Sequence, residues 1–365
     1  MIYIVLDTLL YLCLAILTAS FIIPVIPADK IPSIHIPKRV QLITIAGVMF
    51  LSFAPLLQIV LMYAGDFGFW TIFKSVLTSF EVGEAWIITA LLCVTLFLTV
   101  LLSKQDNNEI VTFMGLFFSL LLILSFSWAS HATSYAGELG FVAQSAHVLA
   151  ISVWVGLLLV VGWWARDNAN MMAFLKWFHP LAVTCVIVTI VAGFALMSSL
   201  DLNSTDIYIQ SWVIPYGQAL LIKHILFVPL LTFAFINGYL MRRRLEQDAT
   251  FKPFSWMRVE SLIILLIFSV TATLGQESPP HNIDMVISTE GPSNLFWLVY
   301  NGYIEPNMML SLGWSGMSLG LGVFALICLG GMIAGFIRRF PALFSLGFGL
   351  AFVVTGYMAL MFSVQ

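Results

Sequence analysis

The sequence predicts an all-α polytopic membrane protein, a bundle of about ten transmembrane helices with both termini on the extracytoplasmic side. Three observations carry this. Apolar residues make up 61% of the 365-residue chain and charged residues only 9%, too few polar groups to cover a soluble surface. Apolar runs of roughly 20 residues recur from end to end, each long enough to cross the ~30 Å hydrocarbon slab as a helix, which satisfies its own backbone. The Lys and Arg residues gather in alternate loops, which sets the orientation. No stretch reads as a basic nucleic-acid surface, so nucleic acid is excluded as a partner and membrane lipid is the surroundings.

The expected spans are 2–23, 39–63, 83–102, 110–131, 139–164, 177–200, 216–240, 257–275, 312–336 and 341–363. The first follows Met1 with no Lys or Arg before Lys30, unlike the basic start of a secretory signal peptide, so it is expected to be retained. Most connections are short. The exceptions are the 64–82 link and the polar 276–311 segment, where "NLFWLVY" is too short to span and is expected to lie at an interface. The last two spans carry Gly313, Gly316, Gly320, Gly331 and Gly335, and "GMSLG" and "GMIAG" fit the small-xxx-small pattern. A tightly packed pair inside one chain explains them; a homodimer face is the alternative. The chain therefore divides into three N-terminal helices (1–109), a five-helix core (110–280), an outer loop (281–311) and a Gly-rich hairpin (312–365).

Charge fixes the sides. Lys30, Lys38, Arg39, Lys104, Arg166, Lys176, Arg242, Arg243, Arg244, Lys252, Arg258, Arg338 and Arg339 share one side, the cytoplasm. Acids including Asp66, Glu81, Glu84, Glu138, Asp201, Glu277, Asp284, Glu290 and Glu305 hold the other, with Lys74. The localisation that follows is multi-pass in a cytoplasmic (inner) membrane. Cys13, Cys93, Cys185 and Cys328 fall in four different spans without C-x-x-C pairing and read as small apolar core residues.

The histidines are the chemical signal. His131 is expected to close the fourth span at the outer surface, and His147 to enter the fifth from the same surface. At 1.5 Å per residue His147 lies ~12 Å below its helix start, deep enough that an unpartnered imidazole is costly. Lys223 and His224 reach a similar depth in the seventh span, so nitrogen ligands from several helices converge in depth. His281 follows "ESPP" in the outer loop, beside Met285, Met308 and Met309, and Met197 closes the sixth span on the same side. Imidazole with thioether suits copper, Cu(I) or Cu(II), better than magnesium or calcium. The sixteen methionines are not enriched toward the outer half, and as apolar gap-fillers they need no ligand role. His179 starts the sixth span on the cytoplasmic side and His35 lies in a basic loop, so neither shares the outer site.

Supporting residues surround these. Gln144 and Trp154 share the face of His147 at spacings of three and seven. Lys223 must snorkel or pair, with a backbone carbonyl, Thr271, Gln276 or Asp201 within reach in depth. Asn237 and Glu260 occupy the inner ends of the seventh and eighth spans and suggest a polar clasp.

The segment "FLKWFHPLAVTCVIVTIVAGFALM", followed by "WVIPYGQALLIK" and then "RVES" and "TATLGQESPP", resembles the copper resistance protein D (CopD) family of bacterial inner-membrane proteins. The preceding "SHA" and "HVLAISVWVG" are similar to that family's Gly-His-Ala and His…Trp-x-Gly elements. The resemblance covers about residues 110–280; the first three spans match in general character and the last two are unexplained by it. It implies copper movement across the cytoplasmic membrane, usually inward, beside an extracytoplasmic CopC-like copper-binding protein. It places His131 and His147 on the family histidines, Trp154 and Gly156 on Trp-x-Gly, Tyr216, Gly217 and Lys223 on Tyr-Gly…Lys, and Glu260 on the family acid. Ser130 stands where the family has Gly, and His224 is outside the pattern.

Three functions compete. The first is a copper transporter, not an enzyme; with no G-x-x-x-x-G-K-[ST] loop and no Asp-Lys-Thr-Gly motif in this sequence, it is not an ATP-driven pump of either type. The second is a membrane redox protein that holds haem b between two histidines such as His147 and His224. The third is an assembly or sensing partner for copper proteins.

Overall fold

Among the described residues of the computed structural model, ten helices are long and apolar enough to cross a membrane, in agreement with the ten expected spans. The structure describes residues 1–103, 108–200, 202, 204–248, 251–280, 282–300, 302, 304 and 308–365. No strand occurs among them, only isolated bridges pairing Ile34 with Ala165 and Leu312 with Val364. The chain forms two compact units, Met1–Ser199 and Leu200–Gln365, so the stretch grouped above as one core contributes to both.

The first unit holds α1 (Ile2–Ile22), α2 (Lys38–Leu51), α3 (Ala54–Phe67), α4 (Phe69–Ser79), α5 (Glu81–Leu102), α6 (Glu109–Trp128), α7 (His131–Trp164) and α8 (Met171–Ser199). Its core gathers Leu10, Leu14, Leu17 and Phe21 of α1, Ile45 and Val48 of α2, Cys93, Leu96 and Val100 of α5 and Leu122 of α6. Helix α7 lies against α1, where a Cβ on Gly156 would run into the Ala15 carbonyl and meet the Ala19 methyl. With no water to drive helices together in lipid, such backbone approach across small residues is a main source of attraction. At one end, the loops on either side tie down: Arg166 N–H donates to Ser33 O (3.0 Å), Asn170 Nδ2 to Ala28 O (3.0 Å) and Trp177 Nε1 to Lys30 O (2.9 Å). The Ser33 hydroxyl first, then the Ser33 and Ala169 amides, hold the exposed Asp167 carboxyl below its usual range. Lys38 caps α5 there, donating to Leu101 O and Ser103 O, both at 2.8 Å.

Four boundaries differ from expectation. The second span is not one rod; it breaks at Ser52–Phe53, because Pro55 has no N–H to give and its ring clashes with the carbonyl four residues back. The 64–82 link contains a helix, α4, entered through Gly68 at φ +81°. Phe69, Ile72, Phe73 and Val76 repeat at helical spacing, and Val76 is buried against Leu56 and Val60, while Trp70 stays 77% exposed. Helix α6 ends at Trp128, so His131 does not close the fourth span; it opens α7. Within α7, Gly137 (φ 56°, ψ −130°) breaks the rod, a conformation that a side chain strains, and sets the turn His131–Ala136 apart from the long helix that holds His147. Helix α8 begins at Met171 rather than 177, after Asn170 at φ 56°.

The second unit holds α9 (Thr205–Gln210), α10 (Pro215–Phe235), a π turn (Ile236–Leu240), α11 (Met241–Gln247), α12 (Phe254–Leu274), α13 (Ile283–Thr289), α14 (Asn294–Val299), α15 (Gly316–Ile337) and α16 (Ala342–Met361). "NLFWLVY" folds as α14 and is not merely interfacial: Phe296 is fully buried beside Ile209, Trp212 and Leu221, whereas Leu298 is 78% exposed. Gln218 joins α10 to α16 from a fully buried position: its Nε2 donates to Trp212 O (2.6 Å) and its Oε1 accepts from the Tyr357 hydroxyl (2.6 Å). The "GMIAG" ridge packs inside the chain, with Gly331 against Phe348 and Gly335 against Ser345, whose hydroxyl donates to Met332 O (2.9 Å). Around "GMSLG", Gly316 and Gly320 face open space.

Gly156→Ala is expected to destabilise the protein by about 1–3 kcal/mol through overpacking at α1, whereas Gly320→Ala leaves stability unchanged. Thermal unfolding of the detergent-solubilised variants checks this; equal midpoints for the two would contradict the packing account. Gln218→Leu leaves the Tyr357 hydroxyl and Trp212 carbonyl stranded, at about 1–3 kcal/mol for each group. Its midpoint should fall well below that of the parent, and the double variant with Tyr357→Phe should recover part of the loss.

Candidate functional site

In the first unit the site residues lie along α7 and its seam with α8. Ser130 caps the short turn, its hydroxyl oxygen accepting from Thr133 N–H (3.3 Å), so the Ser that replaces the family Gly has a capping role. His131 is exposed at the start of this turn. His147 lies about nine residues past Glu138, ~14 Å along the long helix, and is half-buried. Its Nδ1 is 3.1 Å from the Thr189 carbonyl of α8. A carbonyl oxygen only accepts, so Nδ1 carries the proton and the Nε2 lone pair is the ring's basic nitrogen.

The α8 face opposite is made of small and soft groups. A Cβ on Gly193, one turn beyond Thr189, would sit 3.9 Å from His147 Cε1, and Met197 follows one turn later, half-buried. The Thr189 hydroxyl oxygen is buried without a hydrogen-bond partner among the described residues. On α7, Gln144 is half-buried one turn before His147, and Trp154 is buried two turns beyond it. His179 is half-buried within α8, and His35 is an exposed loop residue, as expected.

In the second unit, Tyr216 is buried at the start of α10, and Gly217 follows because any side chain there would strike Ser211 O. Half-buried Lys223 makes no hydrogen bond or ion pair with a described residue, while His224 beside it is exposed and its Nδ1 is 2.8 Å from the Tyr208 hydroxyl of α9. The Asn237–Glu260 clasp is present: Asn237, on the π turn, donates from Nδ2 to Glu260 Oε2 (2.6 Å) and to Trp256 O (3.3 Å), with both residues buried. Asn237 Oδ1 is buried without a hydrogen-bond partner among the described residues. His281, with Lys104, Asp201 and Glu305, lies outside the described residues. Among the described residues, no group of three or more His, Cys, Asp or Glu side chains is close enough to hold a metal ion.

Glu260→Leu removes the acceptor of a buried amide and is expected to cost about 1–3 kcal/mol, whereas Glu260→Gln, which keeps an acceptor, costs less. The yield of monodisperse protein and the unfolding midpoint of each variant give the comparison; equal effects would remove the clasp from the account of stability.

Two family models match the chain. Residues 1–141 match the copper resistance protein D-like N-terminal domain, and residues 172–274 match copper resistance protein D. The family likeness thus reaches the first three spans, beyond the 110–280 stretch seen in the motifs. The chain is 30% identical over 212 residues to the copper transport protein CutJ of Bacillus subtilis (strain 168), an alignment covering 54% of this chain and 38% of that protein. The chain thus spans well under half the length of the curated relative it matches. No solved structure matches it. Matches to the two family models over 1–141 and 172–274, on an all-helical frame with ten helices long and apolar enough to cross a membrane among the described residues, make this chain a multi-pass membrane protein of the copper resistance protein D family.

Proposed function

We propose that this chain moves copper ions inward across the cytoplasmic membrane of a bacterium, and that the α7–α8 seam of its first unit is part of the path. The observation that carries the reading is the His147 ring held through Nδ1 by the Thr189 carbonyl, which points to Nε2 as the metal-binding nitrogen. A thioether, Met197, follows on α8, and Gly193 leaves room at the ring edge. Nitrogen with thioether sulfur is a donor set for copper rather than for a hard cation. His131, exposed at the same end of the unit, serves as the capture residue.

The ties of the 26–35 loop to Arg166, Asn170 and Trp177 support placing Lys30, Lys38 and Arg166 on one side, which the positive-inside rule makes cytoplasmic, with both termini outside. An extracytoplasmic copper-binding protein of the CopC type is the donor this reading implies. Transport, not catalysis, is the role assigned.

Copper accumulation in cells lacking their own uptake, expressing the parent or His147→Ala at matched levels, tests the proposal. The variant should fall to the level of the empty vector, with copper in the purified protein lost in parallel; Met197→Leu should retain an intermediate rate. Undiminished uptake by His147→Ala would remove the seam from the path. A Soret band in the parent, with no copper retained, would favour haem binding.

A further inference from the structure

Four spans of the second unit end together: one closes at Gln247, the next opens at Phe254, α15 closes at Ile337 and α16 opens at Ala342. Aromatic rings join these ends, since Phe336 packs against Trp256 (centroids 4.9 Å apart) and Phe251 (6.2 Å). The segments 241–258 and 337–341 hold five and two Lys or Arg residues, against two acids, Glu246 and Asp248.

Two of the arginines converge on one atom. The Phe336 carbonyl oxygen accepts from Arg244 Nη1 (3.3 Å) and from the Arg339 backbone N–H (3.2 Å). The Arg244 guanidinium lies over the Phe251 ring, 4.1 Å from its centroid, with the Phe336 ring at 5.3 Å, so the fork is fixed in place. Arg339 is close enough to repel its charge and Asp248 to attract it. Among the described residues, the exposed Arg338 and Arg339 make no side-chain hydrogen bond or ion pair.

Arg339 also stands where glycine is usual. Helix α15 ends with Phe340 N–H on Gly335 O (2.9 Å) and Arg339 N–H on Phe336 O, a closing pattern whose left-handed residue is most often glycine. Arg339 takes φ +63° there, a conformation that a side chain strains. Strain of this kind is kept where the side chain has a use.

We propose that Arg244 and Arg339, with Arg338 beside them, bind the phosphodiester of an anionic phospholipid at this end of the second unit. Guanidinium forks match phosphate oxygens, and a phosphate there relieves the repulsion between the two cations. The flanking surface points to lipid rather than to a soluble anion: Ile337, Phe340, Leu343 and Phe344 are each more than half exposed, an apolar collar for acyl chains. The basic loops mark this end as cytoplasmic, where the leaflet surface is anionic.

Thermal unfolding of the purified full chain in nonionic detergent tests this, with phosphatidylglycerol, phosphatidylcholine or inorganic phosphate added at constant ionic strength. The parent should gain a few degrees, saturably, from phosphatidylglycerol alone. Arg339→Gly suits the turn, so its midpoint in phosphatidylcholine should hold or rise, while several-fold more phosphatidylglycerol is needed for half the gain. Arg244→Gln should lose most of the gain; if it does not fold, Arg339→Gly decides. Lys176→Gln, at an exposed cation of the first unit, should keep the gain. A parent without a gain, equal gains from both lipids, or an equal gain from inorganic phosphate overturns the inference. So does a gain undiminished in Arg339→Gly, or one lost equally in Lys176→Gln, which would mark diffuse charge attraction. Copper accumulation is read separately, so either proposal can fail while the other stands.

Discussion

Inside a bilayer a polar group has no water as an alternative partner, and the arrangement of this protein follows from that constraint. Single hydroxyls solve it locally by bonding back to their own helix, as Thr8 does to Ile4 O, Thr95 to Leu91 O and Thr232 to Val228 O. Larger polar groups cannot. Gln218 reaches Tyr357, Asn237 reaches Glu260 and His147 reaches Thr189, each across a helix boundary. These bonds select which faces meet, a choice that a nearly uniform apolar surface does not make.

Close approach is the second ordering force. Gly156 lets α7 touch the α1 backbone, Gly217 lets the first turn of α10 pass Ser211, and Gly331 and Gly335 seat α16 on α15. Gly156 and Gly217 thus have a packing explanation that owes nothing to metal. The histidines do not share it: His131 and His224 are exposed, and His147 is only half-buried.

The first unit also keeps two sets of polar groups apart. His147 lies at the α7–α8 seam against the Thr189 carbonyl, while Asp7 and the hydroxyl residues Ser52, Thr89, Ser125 and Ser130 line a cavity among α1, α2, α3, α5 and α6.

The sequence by itself determined the class, the number of spans and most of their limits, because hydrocarbon thickness imposes a length that composition must meet. It also located the Asn237–Glu260 clasp, since two polar residues at the same depth have few other partners. Only the tertiary structure decided helix rotation, and with it that Gln218 is a hub, that Asp7 faces a cavity and that His147 bonds to Thr189. The breaks at Pro55 and Gly137 and the helix inside the 64–82 link were hidden for a related reason: an apolar run reads alike whether straight, kinked or folded along the surface. Periodicity, which fixes rotation in a soluble helix by separating wet from dry faces, carries little signal when every face is apolar.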